Sequence, residues 1–387
     1  MARKASRIGG RKPIVAGSRL MLARKLRGMS QTELAKSVGV TPRAISKYEK
    51  AGEGLSSTKL AEVASVLGFE PSYFNGSDIS SPQEAAISFR ARSKMSAKKR
   101  DQAIAASAFG AVFSDWMDSE FVLPPAEIPD YAGYEPEIAA SALRAEWGLG
   151  DGPVSDVIAQ LESHGVRVFS VAEASQEIDA YSFWDESRNR PFVFLTTSKS
   201  GERRRMDAAH ELGHLVLHRK VDLTDRSSRE IESEANVFAS AFLMPNRGFR
   251  STVSRNVTLT EVMDVKQIWK TSAFAVVVRC HSLGLLSDWQ YHTLCVDMGK
   301  KGMRANEPNG IIPERSQVND KIIAIMKKSP EGLAGIVADT GIPYSILMSL
   351  TFNASVEVIK GGVSSRKAFG SGGRKSSADF KVITHHR

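Results

Sequence analysis

The sequence has only two cysteines, Cys280 and Cys295, among its 387 residues. This number excludes a disulfide framework and a cysteine-rich zinc finger. No stretch approaches the roughly 18 uncharged apolar residues that a membrane span requires, so no membrane partner is expected. A secretion signal is also missing from the sequence. Together these absences predict a protein of the reducing cytoplasm.

Apolar residues make up 42% of the chain and charged residues 25%, which is the composition of a globular protein. The net charge of +9 is unevenly distributed. Residues 1–75 hold fourteen Lys and Arg against five Asp and Glu, and residues 360–387 hold seven against one. Basic ends predict binding to an anionic polymer. The alternative is that the basic residues serve solubility alone. It is less favoured for the basic head, residues 1–75, where a motif supports binding to nucleic acid.

Composition and hydrophobic periodicity divide the chain into seven segments. They are a basic flexible arm (1–13), a domain of short helices (14–75), a Ser/Pro/Arg-rich linker (76–95), a helical connector (96–134), a domain of short strands and helices (135–250), a helical C-terminal region (251–359) and a basic disordered tail (360–387). Within the fifth segment, three short β-like runs precede two helical segments at about 202–219 and 228–243. The fold class predicted from this order is α+β, mostly α.

A helix-turn-helix pattern lies at residues 30–49, SQTELAKSVGVTPRAISKYE. Ser30 is placed to cap the first helix, with Glu33 completing a capping box. Gly39 supplies the permissive backbone of a sharp turn, and Thr41 caps the second helix. A short helix, a glycine turn and a second helix with a basic outward face can place that second helix in a major groove.

This segment resembles the helix-turn-helix of the phage-repressor (Cro/C1, or XRE) family over about residues 14–75. The resemblance implies double-stranded operator DNA as a partner and a possible homodimer. It implies that Gln31 touches a phosphate and that Arg43 and Lys47 reach base edges or phosphates, with Thr41 and Ser46 as weaker candidates. The alternative is a helical bundle used for protein contacts, which the basic arm disfavours.

A metal-binding pattern occupies residues 208–218, AAHELGHLVLH. His210 and His214 are four residues apart, so on a helix they share one face and can bind one zinc ion. Glu211 is placed to act as the general base on a water that zinc activates. Two surface histidines would give the same spacing by chance. The apolar neighbours predict a buried helix instead, in which such polar groups need partners.

A third ligand is expected from the helix predicted at residues 229–245, REIESEANVFASAFLMP. Its apolar stripe begins at Ile231 and Ala235 and continues at helical spacing. Glu234 and Glu232 flank that stripe on opposite sides. Helical geometry favours Glu234 only slightly over Glu232.

HELGHLVLH followed by EANVFASAFLMP resembles the ImmA/IrrE family of zinc metallopeptidases, which act on phage-type repressors. The resemblance covers about residues 135–295. It implies that Zn²⁺ is the cofactor and that the glutamate directly before Ala-Asn, Glu234, is the third ligand. The expected architecture is an N-terminal all-α helix-turn-helix domain, a zincin-like peptidase domain with a small antiparallel sheet and an HExxH helix, and a helical C-terminal region.

His218 lies eight residues after His210, about 80° around the helix and about 12 Å along it. It is therefore a poor ligand for the same ion and is expected to cap the helix. Residues 333–350 also show a helix, a Thr-Gly turn and a helix. That segment lacks exposed Arg and Lys, so a structural or partner-docking role is favoured over a second DNA-binding motif.

The sequence thus predicts a DNA-binding transcriptional regulator with a zinc-dependent endopeptidase domain that cleaves a repressor or antitoxin-like protein. The alternative is a DNA-binding regulator or antitoxin with a structural or sensory zinc site and no proteolysis. A pure interaction scaffold is a third class, which the basic head disfavours.

Overall fold

A computed structural model describes residues 15–51, 55–80, 88–89, 96–171, 180–219, 227–353 and 381–382. These residues form two compact units. The first contains the described residues up to 80, residues 96–119 and residues 326–347, and the second contains the others. The basic arm predicted at 1–13 and nearly all of the tail predicted at 360–387 lie outside the described residues.

The first unit is built from helices. They are α1 (Gly17–Leu26), α2 (Gln31–Ser37), α3 (Pro42–Ala51), α4 (Ser57–Leu67), a 3-10 turn (Pro71–Asn75), α5 (Ala97–Glu120), α15 (Gly332–Thr340) and the start of α16 (Tyr344–Leu350). The predicted caps of the motif are present. Ser30 and Glu33 form a capping box on α2, and the hydroxyl of Thr41 accepts from the amide of Ala44.

Helix α5 packs on the same core as the motif. The fully buried ring of Phe109 lies 5.9 Å from the ring of Phe69 and 6.0 Å from that of Tyr73. Trp116 donates from its indole nitrogen to Asp339 on α15, at 3.2 Å. The apolar face of α5 is therefore covered by the helix-turn-helix part, and α5 also contacts α15 although Trp116 and Asp339 lie 223 residues apart in the sequence.

The second unit combines helices with strands. Its strands are β1 (Ser88–Phe89), β2 (Phe121–Val122), β3 (Arg167–Val171), β4 (Ala180–Asp185), β5 (Arg190–Thr196) and β6 (Lys381–Val382). Its helices are α6 (Pro136–Glu146), α7 (Val157–Ser163), α8 (Gly201–Leu217), α9 (Ser228–Leu243), α10 (Asn246–Arg250), α11 (Leu259–Trp269), α12 (Ala273–Ser282), α13 (Asp288–Lys300) and α14 (Gln317–Met326). The predicted class, α+β and mostly α, is confirmed.

The main sheet has the strand order β1-β4-β5-β3. β4 is antiparallel to both of its neighbours, whereas β3 is parallel to β5. The sheet is therefore mixed, and the prediction that it is antiparallel throughout was wrong. A parallel pair needs a long connection, and β4 lies between β3 and β5 in the sequence. β2 and β6 form a separate antiparallel pair.

Helices α8 and α9 approach closely where α8 carries Gly213. A Cβ on Gly213 would lie 3.0 Å from the ring of Phe238 and 3.3 Å from Cα of Ala235. Both distances are shorter than ordinary contacts between carbon atoms, so glycine permits this approach. This close approach places the residues of α9 that lie one turn before Ala235 next to the histidines of α8.

The units do not follow the segments expected from composition. The predicted connector 96–134 and C-terminal region 251–359 are each divided between the two units. Within the predicted linker 76–95, Ile79 is buried and its amide donates to the hydroxyl of Ser18 on α1, while most of the later residues lie outside the described part. Among the described residues, no single helix is long and apolar enough to cross a membrane. Only the bent pair α15 and α16 has that length and composition, and only when taken together.

Candidate metal centre

Three side-chain acceptors converge between α8 and α9. Nε2 of His210 lies 3.1 Å from Nε2 of His214. The carboxylate of Glu232 lies 3.4 Å from the first nitrogen and 3.5 Å from the second. Among the described residues, this is the group of His, Cys, Asp and Glu side chains close enough together to hold a metal ion.

These distances fit zinc. Two ligands at about 2.0–2.1 Å from one ion in tetrahedral geometry lie about 3.3–3.4 Å apart. Nitrogen and carboxylate oxygen atoms that meet at such distances repel one another unless a cation or proton lies between them. Two imidazoles and one carboxylate are also a donor set that zinc uses in catalytic sites, where a fourth position stays open.

Asn236 orients His210. Its Oδ1 lies 3.0 Å from Nδ1 of His210, and an amide oxygen can only accept. Nδ1 of His210 therefore carries the proton and Nε2 presents its lone pair to the centre. Asn236 lies one helical turn after Glu232, so one face of α9 supplies both the carboxylate and the group that orients a histidine.

His214 is oriented through His218. Nε2 of His218 lies 2.9 Å from the carboxylate of Glu234, which can only accept when ionised. Nδ1 of His218 then accepts from Nδ1 of His214, 3.0 Å away, so Nε2 of His214 is also free of a proton. Burial lowers the pKa of His214 to about 4, and the ring is neutral at pH 7. As expected, His218 ends the helix as its capping residue.

The two glutamates of α9 that were weighed as third ligands lie in different places. Glu234 contacts His218 and lies behind the centre, whereas Glu232 faces it. Residues two positions apart on a helix point in directions that differ by about 200°, so Glu232 and Glu234 cannot both face one point. The close packing of α8 against Ala235 turns Glu232 toward the two imidazoles. Burial acts to raise the pKa of Glu232, but its polar contacts with the two imidazoles outweigh this and hold the pKa well below its usual range.

Glu211 lies beside the centre, fully buried on α8. Its carboxylate accepts a 2.7 Å hydrogen bond from the hydroxyl of Ser182 on β4. Burial raises the pKa of Glu211 to about 7, although the neighbouring His210 and the Ser182 hydrogen bond act in the opposite direction. A carboxylate whose pKa lies near neutrality can both accept and return a proton at physiological pH.

The residues expected to contact DNA lie on α2, on α3 and at the position just before α3 in the first unit. Arg43 and Lys47 are exposed on α3, and Ser46 is half-buried on the same helix. Thr41 is exposed, but its hydroxyl caps α3. The side-chain nitrogen Nε2 of Gln31 donates to the carboxylate of Glu49 at 2.7 Å, and this hydrogen bond connects α2 to α3.

Comparison with known families covers both units. Residues 20–74 match the model of the helix-turn-helix family HTH_3. Residues 161–281, which include α8, α9 and all the residues of the centre, match Peptidase_M78, the IrrE N-terminal-like domain. The chain carries a helix-turn-helix domain and an IrrE N-terminal-like domain.

Curated relatives match the helix-turn-helix domain. An uncharacterized HTH-type transcriptional regulator of Sinorhizobium medicae is 38% identical over 61 residues, which are 16% of this chain and 44% of the relative. One of Sinorhizobium fredii is 38% identical over 58 residues, 15% of this chain and 41% of the relative. The chain thus spans less than half of the length of these relatives.

A solved structure, a Mycobacterium tuberculosis transcriptional regulator, matches 44% of this chain and 50% of its own. Its sequence identity is 16% and its TM-score 0.28.

The sequence pointed to His210, Glu211 and His214 and left Glu232 as the alternative to Glu234, but it did not reveal Ser182 or Asn236. Ser182 could not be found, because nothing in the sequence shows which strand lies against α8. Asn236 could have been found. Once Glu232 is placed at the centre, the residue four positions later on a helix must lie on the same face.

Proposed function

We propose that this chain is a DNA-binding transcription regulator whose IrrE N-terminal-like domain is a zinc-dependent endopeptidase that cleaves a repressor or antitoxin-like protein. The observation that carries the peptidase proposal is the convergence of His210, His214 and Glu232 beside the buried Glu211. Zinc held by the first three residues would supply Lewis-acid activation of water and of a peptide carbonyl.

The side chains around the ion carry the remaining steps. Glu211 takes the proton of the attacking water and returns it to the leaving amine, for which its pKa near 7 is suited. Ser182 holds the carboxylate of Glu211 in one orientation by its hydrogen bond. Asn236 and His218 fix the tautomers of the two imidazoles.

The helix-turn-helix domain brings the activity to DNA. Arg43 and Lys47 are exposed on α3, the helix that in such motifs enters the major groove. We propose that these side chains contact base edges or phosphates of an operator, and that the peptidase acts on a protein that regulates the same DNA. A homodimer would place two α3 helices on one operator.

The test is co-expression with the products of neighbouring genes, followed by a search for cleaved proteins. The wild-type chain should cleave one of them, whereas Glu211→Gln should not, since the general base is lost while the three ligands remain. Glu127→Gln is the matched control, because Glu127 is an exposed glutamate of the same unit. Regulation that persists unchanged in Glu211→Gln would favour a sensory or structural zinc site.

A further inference from the structure

The short strand β1 pairs with the strand that carries Ser182. Ser88 lies opposite Ser182, and Phe89 lies opposite Tyr181, in antiparallel orientation. β1 groups with the second unit, whereas the described residues on either side of it in the sequence, up to 80 and from 96 to 119, group with the first. A piece of chain between two parts of the first unit therefore contributes a strand to the sheet of the second.

The edge that β1 covers is the edge beside the proposed catalytic residue. In the order β1-β4-β5-β3, β4 would be the edge strand without β1. Residues opposite each other in an antiparallel pair have Cα atoms about 4.5–5.5 Å apart. The backbone of Ser88 thus lies one strand spacing from Ser182, whose hydroxyl binds Glu211.

An extended peptide binds a sheet by the same backbone groups. Strand addition to an exposed edge supplies main-chain hydrogen bonds to any extended segment. β1 and an extended peptide placed at β4 would compete for the same backbone N–H and C=O groups, those that β4 directs toward this edge. One edge cannot hold both.

We infer that Ser88–Phe89 is a built-in occupant of the β4 edge, which excludes extended segments of other proteins from the side of the centre that carries Ser182. The consequence for cleavage rests on the proposed function, whereas the occupancy itself does not. A two-residue strand is weak by itself. Its attachment to the same chain raises its local concentration to roughly the millimolar range, so a partner must displace it to reach the edge.

The test uses the full-length chain and a fluorescent peptide that copies residues 84–94, EAAISFRARSK. The variant Ser88→Pro/Phe89→Pro removes two backbone donors from β1. It should bind the peptide at least about tenfold more tightly than the wild type does, because the competing strand is released. Hydrogen exchange of the amides of residues 180–185 should become faster in this variant, and added peptide should slow it again.

Ser93→Pro is the matched control, since it places the same residue in the same segment outside β1, and it should behave as the wild type. Should the double proline variant fail to fold, Ser88→Gly/Phe89→Gly weakens the strand more gently. Equal peptide affinity in wild type and variant, or no binding to the variant at millimolar peptide, would overturn the inference.

Neither measurement needs catalysis, and both can be repeated in Glu211→Gln. If the edge opens as expected but no partner protein is cleaved by any variant, the proposed peptidase activity fails while the occupancy stands. If cleavage is observed but is equally fast with and without β1, the inference fails and the peptidase stands.

Discussion

The carboxylate of Glu232 lies 3.4 Å from Nε2 of His210, a distance that suits two ligands of one zinc ion. Glu234, two residues later on the same helix, contacts His218 instead. Two glutamates of one short motif thus have different relations to the centre. One faces it directly, and the other acts through two histidines.

This difference predicts unequal losses of zinc. Glu232→Ala should remove most of the metal from the purified chain, as His210→Ala or His214→Ala should, because two ligands hold zinc poorly. Glu234→Ala should weaken zinc binding only about 10–100-fold, the usual effect of losing a group that orients a ligand. Metal content and competition with a chelator measure both, with Glu127→Ala as the control. A larger loss in Glu234→Ala would restore the ligand expected from the family resemblance.

The different positions of Glu232 and Glu234 show what the sequence could and could not predict. The HExxH spacing alone places His210, Glu211 and His214, because a single helix fixes their relation. The third ligand depends on how α9 is rotated against α8, and that rotation is set by the contact of Gly213 with Ala235. The apolar stripe of α9 marks the buried face, but it leaves the two flanking glutamates almost equivalent.

The local elements of the fold could be predicted from the sequence, but their packing could not. Periodicity identified the strands and the two motif helices, since each is a local pattern. It could not show that α5 packs with the helix-turn-helix or that β3 is parallel to β5. Those relations depend on contacts between residues far apart in the sequence, such as Phe109 with Phe69.

Ser182→Ala should impair catalysis without removing zinc. The lost hydrogen bond to a carboxylate contributes about 1.5–3 kcal/mol, so we expect kcat to fall by roughly tenfold or more. That bond stabilises the ionised form of Glu211, and its loss should raise the pKa of Glu211 further. Activity that requires ionised Glu211 should then decline at a higher pH on the acidic side of the profile. Ser182→Thr keeps the hydroxyl and should recover part of kcat, whereas an unchanged pH profile in Ser182→Ala would exclude this role.

Arg43→Ala and Lys47→Ala should weaken binding to operator DNA. If either side chain contacts base edges, its loss should cost about 1–3 kcal/mol at a specific site and less on random DNA. Titrations at several salt concentrations separate the two effects, because lost phosphate contacts reduce the salt dependence. Lys300→Ala removes the same charge from an exposed position of the second unit and should leave both affinities unchanged. Equal losses in all three variants would indicate only a general charge effect.

Stability should depend on pH through Glu162 of α7. Its buried carboxylate accepts from the hydroxyl of Ser316 and from the amides of Gln317 and Val318. Burial raises the pKa of Glu162 to about 8, although these hydrogen bonds act in the opposite direction. A raised pKa in the folded state means that stability is highest below the unfolded value of 4.5 and is lost as the pH rises toward 8. The thermal midpoint of Glu162→Gln should fall less over this range than that of the wild type, and Glu127→Gln should follow the wild type.

Alanine substitutions at two buried phenylalanines should affect the functions of the two units separately. Phe109 on α5 contacts Phe69 and Tyr73 in the first unit, and Phe249 is fully buried beside Trp269 in the second. Either change to alanine should cost about 3–5 kcal/mol of folding free energy. Phe109→Ala should therefore reduce DNA binding near 37 °C while the zinc content stays unchanged, although α5 lies outside the helix-turn-helix motif in the sequence. Phe249→Ala should reduce zinc retention on heating and leave DNA affinity intact. DNA titrations and metal analysis on the same preparations measure both effects, and parallel loss of both functions in each variant would mean that the two units do not fold independently.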